Sequence, residues 1–144
     1  MEDGPVYTHD YDLAADTLVV GDVFAVIAPS DNEELVEYYL LRCTMVKSKL
    51  LCDTIDGFGI NFDRYSMVVG GHYFKQCGKR GKYVEYVDYE KQCEAIIYSH
   101  LVIATKLPLT RISTRRRTAT RYKLAIHDHE SIVAIVNQRD DLID

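Results

Sequence analysis

His127-Asp128-His129-Glu130 sets imidazoles and carboxylates side by side, the residue types that ligate a metal ion or pass a proton. A metal site needs a second ligand set at suitable spacing. Cys43, Cys52, Cys77 and Cys93 lie far apart and form no Cys-x-x-Cys pair. The quartet is better read as a helix start, with Asp128 as the cap and acids near the positive end of the helix dipole. His72, His100 and the cysteines have neither a glycine-flanked nucleophile turn nor a catalytic motif around them. No Gly-x-Gly-x-x-Gly or phosphate-binding lysine loop is present. The expectation is a chain that is not an enzyme and uses no metal or cofactor.

Two other constellations carry binding chemistry. Residues 106–123 hold seven basic side chains (Lys106, Arg111, Arg115, Arg116, Arg117, Arg121 and Lys123) and no acid. Guanidinium forks bind phosphates or carboxylates bidentately, so this strip suits DNA, RNA or an acidic partner. It equally suits a solvated strand edge, a nuclear-import signal or a contact with acids of the same chain. Such acids exist: residues 2–37 carry ten Asp and Glu and no Lys or Arg, so a net charge of −5 hides a strong separation of sign. The overall acidity weakens the nucleic-acid reading, because dedicated nucleic-acid domains are basic as wholes.

The second constellation is aromatic. The chain has eleven tyrosines and no tryptophan, a composition that favours pleated, half-buried surfaces. Tyr38, Tyr39, Tyr73, Phe74 and Tyr86 are the expected recognition rings, since strand alternation sends neighbouring rings to opposite faces and leaves one of each pair outside the core. Plain sheet packing is the competing role for the same residues.

These side chains need a scaffold, and the patterning predicts strands. With 47% hydrophobic and 27% charged residues, 144 residues make one globular domain with a core of its own. Residues 1–16 read as a loosely packed acidic arm, 17–139 as the domain, and 140–144 as an acidic tail. Residues 23–27 and 36–44 are strand-like, and a third strand is expected over 47–52. Asp56-Gly57-Phe58-Gly59 marks a hairpin turn. The Gly70-Gly71 pair inside an apolar run marks a bulge or a close backbone approach. Residues 82–89 read as another strand, 95–104 as a buried central one, and 121–126 as the last. A C-terminal helix gathers Ile132, Val133, Ile135 and Val136 on one face. No leader-like segment opens the chain, and no apolar run nears the roughly 20 residues of a membrane span, so an intracellular protein with reduced thiols is expected.

This order of elements resembles a bromo-adjacent homology or Tudor-like domain. The resemblance lies in Val20-Gly21-Asp22-Val23 before the first strand, Glu37-Tyr38-Tyr39-Leu40-Leu41-Arg42, the Gly70-Gly71-His72-Tyr73-Phe74 corner, and Tyr122-Lys123-Leu124 with its helix. It implies a mainly β, SH3-like barrel with added strands and a C-terminal helix. It also implies a nuclear, non-catalytic module that binds chromatin, histone-tail peptides or other proteins. Some members hold methyl-lysine in an aromatic cage, which here would be built from Tyr and Phe. The alternative is a nucleic-acid-binding domain of a mobile-element or viral protein acting through residues 106–123. An exposed edge strand would also suit dimerisation.

Overall fold

A computed structural model describes residues 4–8, 11–88, 93–112 and 120–143. The runs rich in Val, Ile and Tyr become strands β1 (Val6–Tyr7), β2 (Val23–Ile27), β3 (Tyr38–Lys49), β4 (Thr54–Ile55), β5 (Asn61–Phe62), β6 (Met67–Lys79), β7 (Tyr83–Asp88), β8 (Ala95–Tyr98), β9 (Val102–Thr105), β10 (Thr110–Ile112) and β11 (Thr120–Ala125). Helices α1 (Tyr11–Asp16) and α2 (Ile126–Ile143) and a single 3₁₀ turn at Ser99–Leu101 complete the described elements. The large sheet runs β1-β9-β2-β3-β6-β7-β11-β10, with β8 added beside β6 and β4–β5 forming a separate hairpin. The fold is mainly β, as expected: a curled antiparallel half-barrel with extra strands and a C-terminal helix. No described helix is long and apolar enough to cross a membrane.

The curl depends on β6, which pairs with β8 through its first half and with β7 through its second. Its bend lies at the paired glycines. A Cβ on Gly71 would sit 2.8 Å from the Arg42 carbonyl oxygen, and one on Gly70 would sit 3.0 Å from the Met45 Cβ. The β3–β6 register shifts beside them, between Cys43 and Met45. Any side chain at Gly71 would push the two strands apart.

Curling gives the sheet two buried faces. On the inner face, Val23, Tyr38, Leu40, Phe74, Val84, Tyr86 and Leu124 pack together, and Ile132 and Val136 of α2 close that core at one end. On the outer face, Phe24, Val26, Leu41, Cys43 and Val69 pack with Ile97, Val102 and the small side chains of α1. Phe62, Val68 and Ile96 form a third, smaller cluster.

Several expectations are corrected. The segment read as a loose arm contributes β1, paired through Val6 to Thr105, and α1, whose Ala14 and Ala15 are fully buried. Alanines let a six-residue helix lie close on β9, while Asp16 turns outward to Lys47, 3.0 Å away. The strand expected over 47–52 is the end of β3, which stops at Lys49. The run 95–104 is not one strand: the 3₁₀ turn breaks it so that β8 pairs with β6 and β9 with β2. Asp128 is not the cap, because α2 already starts at Ile126. Residues 140–143 continue α2 rather than forming a tail.

Asp128 instead accepts a hydrogen bond from the Tyr7 hydroxyl, which latches β1 to α2. Beside it, the Tyr38 hydroxyl lies 2.8 Å from His129 Nδ1 and 2.6 Å from the Tyr86 hydroxyl. The Tyr86 hydroxyl donates in turn to Gln76 Oε1 at 3.4 Å. With one proton per hydroxyl, a consistent chain of donors runs from His129 through Tyr38 and Tyr86 to Gln76. Burial raises the pKa of both tyrosines and, helped by the charge of Lys79, lowers that of His129.

Two outcomes follow. Tyr7→Phe leaves the buried Asp128 carboxylate without its hydroxyl donor and lowers the unfolding free energy by about 1–3 kcal/mol, measured by urea titration. His129 is neutral in the fold but binds a proton in the unfolded chain as pH drops through the ordinary value of 6.5. Stability from this group is therefore complete above that pH and declines below it, toward the lowered folded value. Urea midpoints measured down from pH 7.5 should fall in that window, and His129→Gln should remove this component.

Candidate functional site

Alternation along β3, β6 and β7 sorts the five expected rings. Tyr38, Phe74 and Tyr86 point inward and are buried in the inner core. Tyr39 and Tyr73 point outward and pack half-buried over the outer core. The five do not form one surface. The outward pair meets edge to face, with ring centres 5.7 Å apart and planes at 80°. A third ring, Phe58, meets Tyr73 at 5.6 Å and 72°. Tyr73 is thus the centre of an aromatic corner, and Phe58 is its most open ring at 51% exposure.

Phe58 comes from the tip of the β4–β5 hairpin, and the local sequence fixes that tip. Asp56 Oδ1 accepts the amides of Phe58 (2.9 Å) and Ile60 (3.0 Å), while its Oδ2 accepts the amide of Ile96 at 3.1 Å. One buried carboxylate therefore both closes the turn and docks it on β8. Gly57 is required for the approach, because a Cβ there would lie 2.7 Å from the Cys93 Cβ. Gly59 completes the turn at φ +79°, a region that favours glycine.

A second loop brings negative charge. The Asn32 side chain donates to the Pro29 carbonyl (2.6 Å) and the Val36 carbonyl (2.8 Å) and accepts the Val36 amide (3.0 Å). This locked loop presents the exposed Asp31, Glu33 and Glu34. Their charges add to burial in raising the pKa of Tyr39. Burial, followed by Tyr39 and Asp56, pushes the Tyr73 hydroxyl up to about 12. The hydroxyls of the corner are neutral and its surroundings are negative.

Where it is described, the basic strip does not form one continuous surface. Lys106 Nζ lies 3.1 Å from Asp22 Oδ2, and Arg121 is bound to Glu85. Lys123 lies over the Tyr83 ring at 5.7 Å. The register pairs Arg111 with Tyr122 and Thr110 with Lys123, so Arg111 and Lys123 face opposite sides of the sheet. Arg115, Arg116 and Arg117 lie outside the described residues.

The histidines are distributed among other elements. His129, on α2, is buried against the sheet, and His100 stacks on Tyr98 at 5.8 Å. Among the described residues, no three His, Cys, Asp or Glu side chains gather as a ligand set. Sequence reading missed Phe58, Asp56 and Asn32. The available signal was an aromatic residue bracketed by Gly57 and Gly59 at a turn, where nothing in a core requires it.

Asp56→Ala removes the acceptor from three amides, and about 1–3 kcal/mol of stability should be lost. Urea titration measures that cost. Amide exchange at Phe58, Ile60 and Ile96 should quicken more than exchange in β7.

In comparisons with protein-family models, with curated proteins and with solved structures, no family, protein or structure matches this chain.

Proposed function

We propose that the chain is a non-catalytic binding module of the chromatin-reader kind, which holds a cationic side chain of a peptide or protein partner against Tyr39, Tyr73 and Phe58. The observation that carries this reading is the corner itself: the Tyr73 ring met steeply by both Tyr39 and the half-open Phe58, beside a locked acidic loop. Ring faces attract a desolvated ammonium or guanidinium by about 0.5–2 kcal/mol. Asp31, Glu33 and Glu34 add a field of the same preference, which speeds encounter with a basic segment. A lysine-rich histone tail has this chemistry, and a nuclear setting goes with it. The resemblance to bromo-adjacent homology and Tudor-like domains points the same way.

The non-catalytic part of the reading rests on burial. His129, the histidine hydrogen-bonded to a hydroxyl, is enclosed with Tyr38 and Tyr86 where no substrate reaches it. Nucleic-acid binding through residues 106–123 is less well supported, because Lys106 and Arg121 are already bound to carboxylates.

The test is titration of the purified chain with basic peptides bearing unmodified or trimethylated lysine, and with a short DNA duplex, at low and physiological salt. Peptide binding is expected, and Phe58→Ala should weaken it about five-fold or more. Changing Arg115, Arg116 and Arg117 together to Ala should leave it unchanged. Duplex binding that falls steeply with salt and is abolished by the triple change would replace this reading with the nucleic-acid one.

A further inference from the structure

The inner face of the half-barrel has two unlike ends. At the end closed by α2 it carries Tyr38, Val84 and Leu124. Four residues further along β3, at the opposite end, it carries Arg42, with Val23 as the cross-strand neighbour. Here the face opens into a cleft of about 460 Å³ lined by Val19, Val23, Leu107, Leu109 and the ring of Tyr122, with Arg42 and Lys106 among them. That volume is in the range of small-molecule sites, and barrel mouths are a common place for them.

The polar groups of the cleft are held in place. The Arg42 guanidinium lies over two rings, 5.1 Å from the centre of Phe74 and 5.6 Å from that of Tyr122, which themselves meet edge to face at 85°. Its nearest described carboxylate, Asp88, is 3.8 Å away, too far for a hydrogen bond. Lys106 reaches the cleft from a backbone at φ +56°, a conformation that favours glycine, in a turn fixed by the Leu107 amide bonded to the Val23 carbonyl at 3.0 Å. Asp22 is committed on one oxygen to both Lys106 and the Val19 amide. Arg111, directly opposite Tyr122 in the register, adds a positive charge on the same face.

Of the charged side chains that line the cleft, Arg42 and Lys106 are positive and Asp22 is negative, with Asp88 3.8 Å from the Arg42 guanidinium. We propose that this cleft is a binding site for an organic monocarboxylate with an apolar body, its carboxylate taken by the stacked Arg42 guanidinium and its body laid on Leu107, Leu109 and Tyr122. A planar guanidinium fixed on rings keeps its fork of donors aligned for two carboxylate oxygens. The site is separate from the aromatic corner, which lies on the other face of the sheet.

The experiment is an amide-shift NMR titration of the intact chain with 4-phenylbutyrate and, as a neutral isostere, 4-phenylbutyramide. Saturable shifts at Gly21, Val23, Leu109 and Tyr122 are expected with the acid, at an affinity at least about tenfold better than with the amide. Arg42→Gln should abolish the preference and Arg42→Lys should reduce it, with unchanged shifts around α2 confirming that each variant is folded. A tripeptide ending in leucine, with a free or an amidated C-terminus, separates the two sources of such a carboxylate. Preference for the free-ended peptide over phenylbutyrate assigns the cleft to a peptide C-terminus, and the reverse assigns it to a free acid. Equal affinity for acid and amide, or no saturation by either acid up to about 10 mM, overturns the proposal. So does a preference for acid that survives in Arg42→Gln.

Discussion

The closeness of β3 and β6 at Gly71 is the constraint on which the rest depends. With a hydrogen in place of a side chain, the two backbones pass at a distance that a Cβ would forbid, and the register slips beside them. That bend lets one strand hold β8 and then β7. A straight β6 would leave an open, flatter sheet with one buried face. The curled sheet has two, and each carries its own chemistry: rings and acids outside, and a graded inner surface running from a buried hydroxyl chain to a charged mouth.

Polar groups in the interior cost free energy unless every partner is supplied. Two sets of such groups draw their partners from distant parts of the chain. Tyr38 from β3, Tyr86 and Gln76 from β7 and β6, and His129 from α2 satisfy one another in series. Asp56 does the same for three amides of the hairpin and β8. Both arrangements fix geometry as well as offset desolvation. The first sets how α2 seats on the sheet, and the second sets where Phe58 stands.

The strands were legible because Val, Ile and Tyr runs of the right length leave little choice, and the inward and outward sorting of Tyr38–Tyr39 and Tyr73–Phe74 follows from a period of two. What stayed hidden depends on partners far along the chain. The acidic composition of residues 1–16 masked the short apolar set Ala14, Ala15 and Leu18, whose burial needs β9 and the outer face to exist first. The break at Ser99–Leu101 has no glycine or proline to announce it and is imposed by two pairing partners in different places. The cross-strand pairs Arg111 with Tyr122, and Thr110 with Lys123, are set only by register, so a basic strip continuous along the sequence is divided in space. Asp128 looked like a cap because its partner, Tyr7, lies 121 positions away.

That last separation bears on how the chain reaches its fold. The β6–β7 hairpin closes over a few residues and needs nothing else, whereas the latch between Tyr7 and Asp128 and the bond from Tyr38 to His129 span most of the sequence. Loop closure over such lengths comes late and slowly. During synthesis, β1 has no hydroxyl acceptor and Tyr38 no imidazole until α2 has left the ribosome. The nascent sheet must therefore wait with one end of its inner face uncovered. Only the eighteen-residue α2 covers that end and completes the cooperative unit.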